Sequence, residues 1–270
     1  MTKTLLGLFF MALCVINDSK AFEISKADTL GVAQRVFKNE CDVEIGCLLE
    51  WNPGEEFLSL GLEHFTWYPA NSPNNANEAF NSYLQYAKEA GEHLPDWLNK
   101  TPFPACPWSN REQFLNSKGS QEYKDMLDFM TRTKDCQTNY LIENSKRSLD
   151  KIIAVAPEDQ RLRITKILSQ LTNDPQGLYA VIDYINFKGP GIGQADDFEG
   201  EGWGLLQVLQ GMHDTSTSKE ALEEFVRSAK TILMHRVFNA SNNKHEDRWL
   251  QGWLRRIDTY LAIQTLDLSK

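Results

Sequence analysis

The sequence has few of the signatures that announce a particular chemistry. It contains no Gly-x-Ser-x-Gly and no His-Glu-x-x-His, which sets aside the serine-hydrolase elbow and the zincin helix. Its five histidines, at 64, 93, 213, 235 and 245, share no metal-ligand spacing. The run Gly189-Pro190-Gly191-Ile192-Gly193 is not a dinucleotide loop: no strand precedes it, and Gln194 stands where the third glycine belongs. In the acidic stretch from Asp196 to Gly202, the twelfth position of an EF-hand loop begun at Asp197 falls on Val208 rather than a bidentate glutamate. No cofactor and no metal are therefore expected. Positive charge is also scarce, with 28 Lys and Arg against 37 Asp and Glu and a formal net charge of -9. That balance argues against nucleic acid or an anionic membrane as a partner.

Beyond the first residues no stretch stays apolar for 18 residues, so no membrane span is expected there. The start itself reads as a secretory signal. A short basic Met-Thr-Lys precedes the apolar run Leu5 to Ile16, and Ser19-Lys20-Ala21 places small residues where a signal peptidase reads them. Residues 1–21 are the expected leader and 22–270 the exported chain, periplasmic or secreted and no longer held by a membrane. Loss of Lys3, Lys20 and Asp18 leaves that chain one charge more negative. Four cysteines remain after it, Cys41, Cys47, Cys106 and Cys136, and an even count in an exported chain implies two disulfides. The favoured pairing joins Cys41 to Cys106 and Cys47 to Cys136; the rival joins Cys41 to Cys47 and Cys106 to Cys136.

The periodicity is mainly helical. Ser25 to Asn39 reads as a helix with Leu30, Ala33, Val36 and Phe37 on one face, and Glu40 continues that face. A carboxyl delivered among apolar neighbours has a raised pKa and suits a general acid. Residues 47–52 and 57–68 alternate like the two strands of a hairpin around Asn52-Pro53-Gly54-Glu55. Four prolines between Pro95 and Pro107 forbid one long element there. Further helices are expected at 79–90, 120–133, 137–154, 159–172, 176–187, 204–212, 218–239 and 246–266. The whole reads as a single domain, mainly α with a small β-hairpin at about 47–68, an α+β arrangement.

A helix ending in a glutamate and followed by a ribbon resembles lysozyme-like glycosidases. Ser59-Leu60-Gly61-Leu62-Glu63-His64 is similar to the Thr-Ile-Gly-x-Gly-His strand of phage-type lysozymes, with Glu63 where that family has a glycine. The resemblance implies Glu40 as general acid. The ribbon has no obvious aspartate, which leaves Glu55 or Glu56 as the second carboxylate; Ser59 would help to hold a water and His64 would orient its neighbours. Gly204-Leu205-Leu206-Gln207 resembles the Gly-Leu-Met-Gln segment of lytic transglycosylases. The upstream window that carries their catalytic glutamate holds Gly189 and Pro190 here. The chain is also similar to a group of uncharacterised exported bacterial proteins with WN-x-GE-x-F and GWGLLQVL segments, which implies no activity. The resemblance thus points to peptidoglycan or another glycan as partner, with binding as the first expectation and cleavage as the further one. His64, Trp67, Tyr184, Trp203 and Gln207 are the candidate substrate-binding residues, the aromatic ones by stacking on sugar rings. The alternative is a non-catalytic periplasmic domain that binds a glycan or a protein. Oligomeric state is not legible.

Overall fold

The structure, a computed structural model, describes residues 48–73, 78–193, 197–198, 201–239 and 246–262. The leader, the expected helix 25–39, Glu40, Cys41 and Cys47 lie outside the described residues. The protein is mainly helical with a small antiparallel sheet. Strands β1 (Leu49–Glu50), β2 (Leu58–Leu60) and β3 (Phe65–Trp67) form that sheet in the order β1-β2-β3. Helices follow: α1 (Phe80–Glu89), α2 (Arg111–Asn116), α3 (Gln121–Arg132), α4 (Lys134–Val155), α5 (Glu158–Thr172) and α6 (Pro175–Lys188). A two-stranded ribbon, β4 (Asp197–Phe198) with β5 (Glu201–Gly202), leads into α7 (Leu205–Gln210), α8 (Ser218–Asn239) and α9 (Asp247–Asp258). No described helix is long and apolar enough to cross a membrane.

The expected second strand, 57–68, is two strands. Gly61 and His64 take positive φ, +70° and +50°, and Gly61 to His64 form a turn that folds β3 back on β2. Leu58 then faces Trp67, Ser59 faces Thr66 and Leu60 faces Phe65. A hairpin becomes a three-stranded meander because a glycine supplies the left-handed conformation that the turn requires. A Cβ on Gly61 would lie 2.5 Å from both Met130 Cε and Gln137 Oε1. Gln137, buried on α4, ties the turn down. Its Oε1 accepts from Leu62 N at 3.0 Å, and its Nε2 donates to Met130 O and Thr133 Oγ1. Tyr83 OH donates to the same Thr133 oxygen at 2.8 Å.

Helix ends follow local chemistry. Asn110 caps α2 by accepting from Gln113 N, and Ser120 caps α3 by accepting from Tyr123 N. Asp174 caps α6 through Gln176 and Gly177, with Pro175 at the first helical position. Helix α9 stops at Asp258, short of the expected 266, and continues as a turn.

Buried apolar residues form two clusters. The first is built on rings: Trp51, Phe65, Trp67, Phe80, Tyr83, Trp108, Phe114, Phe129 and Tyr140 pack among leucines of the sheet and the early helices. The second is mostly aliphatic and fills the space between α5, α6, α7, α8 and α9. Helix α4 belongs to both, giving Cys136 and Tyr140 to the first and Leu141, Ile142, Leu149 and Ile152 to the second. The expectation of disulfides is corrected for the described half of each pair: Cys106 and Cys136 are buried free thiols, and the rival Cys106–Cys136 bridge is not formed. Both cysteines lie buried in the ring-built core.

Candidate functional site

The turn after β1 builds one wall of a groove of about 680 Å³. Glu55 N donates to Asn52 O at 3.2 Å, and Gly54 at φ +88° lets the chain close. Trp51 Nε1 donates to Glu55 O at 2.8 Å, and Asn52 Nδ2 donates to Glu55 Oε2 at 3.1 Å. The turn is therefore fixed by its own side chains, and Glu55 and Glu56 both line the groove. The opposite walls are the segments from Pro69 to Pro73 and from Cys106 to Arg111. Those two segments are joined where Cys106 N donates to Tyr68 O at 3.0 Å. Arg111, at the start of α2, locks the third wall to the first by donating from Nε to Trp51 O at 2.8 Å.

The groove brings together two carboxylates, the amides of Asn71 and Asn110, the Arg111 guanidinium, and the apolar surfaces of Trp51 and Pro107. Its field is negative on the ribbon side. Burial, and then the Glu56, Glu55 and Glu78 carboxylates, hold the Tyr68 phenol above its ordinary range. Burial also pushes the Cys106 thiol up to about 12, so Cys106 offers no thiolate near neutral pH. Acceptors, donors and an apolar wall in one open groove suit a polyhydroxylated ligand.

The other expected site residues lie elsewhere, and none of Ser59, His64, Trp67, Tyr184, Trp203 or Gln207 lines the groove. Ser59 is sealed inside the sheet, 3% exposed, where it has no room to position a water for a ligand. His64 turns the chain between β2 and β3. Trp67 and Tyr184 are fully enclosed, so neither ring has a face left for a sugar. Trp67 stacks among Phe80, Trp97 and Trp108 and donates from Nε1 to Pro104 O at 3.2 Å. An indole with all its surface and its N–H engaged is a core residue.

Tyr184, Trp203 and Gln207 do come together, at the junction of α6 and α7. Tyr184 OH donates to Trp203 O at 2.9 Å, and Gln207 Nε2 donates to Gly191 O at 3.0 Å. Gly204 lies against Gly191, where a Cβ would approach the Gly191 nitrogen to 2.2 Å. Leu205 N and Leu206 N donate to Gly189 O and Pro190 O. Gly-Trp-Gly-Leu-Leu-Gln is thus a clasp that holds the start of α7 on the end of α6. Its glycines permit the close approach.

Two carboxyls with raised pKa were not foreseen. Burial lifts Glu63 to about 8, and its Oε1 is enclosed without a hydrogen-bond partner although part of the residue reaches the surface. Burial also raises Glu78, against the opposing hydrogen bond that its Oε2 accepts from Tyr68 N. Neither lines the groove. Nothing local in the sequence signals that the turn would bury the Glu63 carboxyl. The roles of Trp51, Asn71, Asn110 and Arg111 were equally illegible, because three separate segments meet there. No family model matches the chain, and neither a curated protein nor a solved structure matches it.

Proposed function

We propose that the protein is exported and binds glycan strands, peptidoglycan foremost, in the groove beside the ribbon. One observation carries this reading. Glu55 and Glu56, the carboxylates expected to face a glycan, open onto a groove together with Trp51, Asn71, Asn110 and Arg111. Sugar hydroxyls donate to carboxylates and exchange hydrogen bonds with amides, while the C–H faces of a pyranose fit apolar surface. The described residues support binding more directly than cleavage. The raised carboxyls Glu63 and Glu78 lie off the groove, so a general acid would have to be Glu40.

Co-sedimentation with purified peptidoglycan tests the binding. The Glu55→Ala/Glu56→Ala double variant is expected to bind about tenfold or more weakly, the loss of one or two charged hydrogen bonds. Equal retention of the variant and the parent would remove the groove from consideration. Release of soluble muropeptides by the parent, lost in Glu40→Gln, would add catalysis to the reading. Binding without release would leave the protein a glycan-binding module.

A further inference from the structure

The walls of the groove beside the ribbon present opposite hydrogen-bonding groups. On the ribbon wall stand the Glu55 and Glu56 carboxylates, which only accept when ionised. Asn52 Nδ2 donates to Glu55 Oε2 at 3.1 Å, so the turn itself holds that carboxylate in place.

On the wall from Cys106 to Arg111 the polar groups are engaged with the protein in a way that leaves donors. Asn110 Oδ1 accepts from Gln113 N at 2.9 Å, which fixes the amide and leaves Nδ2 as its free end. Ser109 N and Oγ both donate to Gln113 Oε1, at 2.6 and 2.7 Å. Arg111 closes this wall and is the one cation among the described residues that line the groove. Its Nε donates to Trp51 O at 2.8 Å, while Nη1 and Nη2 have no hydrogen-bond acceptor and no ion pair among the described residues. Glu55 and Glu56 thus line the same groove as Arg111 without pairing with it.

A guanidinium anchored through Nε has given up much of its side-chain freedom before a ligand arrives. It keeps the edge formed by Nη1 and Nη2, a planar fork that matches the two oxygens of a carboxylate. A carboxylate placed on the ribbon wall instead would meet Glu55 and Glu56 and be repelled. A ligand with hydroxyls and one carboxylate therefore has one favourable orientation, hydroxyls toward the ribbon and carboxylate toward Arg111.

We infer that the groove selects glycans that bear a carboxylate over neutral ones, and that Arg111 makes the selection by pairing with that carboxylate through Nη1 and Nη2. The inference rests on the groove being the glycan site. Without the Arg111 charge the lining keeps two acids and no cation, so the preference should vanish or change sign. A guanidinium does not distinguish a carboxylate on the sugar ring from one on a peptide substituent, so the test has an arm for each.

Isothermal titration calorimetry of the full-length protein with two matched ligand pairs provides that test. One pair is disaccharide-peptide fragments of peptidoglycan and the same fragments with their carboxylates amidated. The other is trigalacturonate and its methyl ester. The parent is expected to bind the acid of at least one pair about tenfold more tightly than its neutral partner, the scale of a charged hydrogen-bonded pair. The pair that shows the ratio identifies where the carboxylate sits. Raising the salt from about 50 mM to about 500 mM should shrink the ratio, since the groove is open and its charges are screened. Arg111→Gln should bring the ratio to one or below. The ratio is read on each protein separately, so a wall loosened by loss of the Trp51 bond, which weakens acid and neutral ligands alike, is not mistaken for selection. Equal affinity for acid and neutral ligands in the parent, or a ratio unchanged in Arg111→Gln, overturns the inference and leaves the groove a glycan site. Failure of all four ligands to bind overturns the glycan reading and this inference with it.

Discussion

The two cores solve the same problem with different materials. Around the ribbon, strands of two or three residues and short helices leave irregular space, and rings fill it: Trp67 lies 5.0 Å from Phe80, and Phe65 stacks on Tyr83 at 4.6 Å. Rings bring polar atoms inside, so this core carries the buried chain of Tyr83, Thr133 and Gln137 that fixes the Gly61 turn. The second core is made where long helices lie side by side, and Leu, Ile, Val and Ala on helical faces suffice. Its one buried charge is Asp183 among the described residues, paired with Arg256 and Tyr260, while the Ser228, Thr215 and Tyr184 side chains each make a single neutral hydrogen bond. The buried polar chain of the irregular region is thus held by neutral hydrogen bonds alone, whereas the helical core adds one strong charged pair to its own.

The largest expected effects test whether the two cores unfold together. Trp67→Ala should cost about 3–5 kcal/mol and Leu168→Ala about 2–5 kcal/mol, because each truncates a fully buried side chain. Since α4 enters both cores, urea unfolding followed by tryptophan fluorescence and by far-ultraviolet circular dichroism should shift as one transition in both variants. Two separated transitions in either variant would divide the molecule at α4.

The buried polar contacts come next. Asp183→Asn should cost on the order of 3 kcal/mol, because it leaves the Arg256 charge without its buried partner. Gln137→Ala should cost about 1–3 kcal/mol by stranding Leu62 N and opening space at the turn. Equal losses in chemical denaturation would erase the distinction between one charged pair and neutral hydrogen bonds.

Measurements against pH separate the cores in a different way. Glu63, in the ring-built region, is raised to about 8. Its contribution to stability is complete below its ordinary value near 4.5 and is lost as pH rises through about 8. Lys188, against the helical core, is lowered from 10.5 to about 7. Its contribution is present above 10.5 and is lost as pH falls through about 7. Glu63→Gln keeps the shape of the neutral acid. It should be near neutral in thermal melts at pH 5 and stabilising at pH 8, where the parent's carboxyl ionises. Lys188→Met should flatten the profile between pH 7 and 10.5 instead. Identical pH profiles for the parent and both variants would show that neither group shifts on folding.

Helices from α1 to α9 are legible wherever a stripe of apolar residues repeats with the helical period: Ser218–Asn239 matches the expected span, and Glu158–Thr172 differs by one residue. Helix α2 escapes because its six residues bury one large side chain, Phe114, too little for a period to show. The ribbon is legible as β-structure, but its third strand is not, because alternation carries no mark of where the chain turns back. Of the candidate site, Glu55 and Glu56 can be named from the turn that precedes them. The residues that share their groove come from the 69–73 and 106–111 segments, and nothing local connects these to the ribbon.

By itself the sequence determined the longer helices among the described residues, that a β-ribbon lies near the start, and that the chain is acidic, since each depends on neighbours within a turn or two or on composition. Only the tertiary structure decided that Trp67 and Tyr184 are core, that Glu55 and Glu56 face a groove, that Glu63 is buried, and that Lys188 lies between two rings. Exposure and pKa are properties of what surrounds a side chain, and here those surroundings come from residues far apart in sequence, brought together by packing against a shared helix and a shared turn.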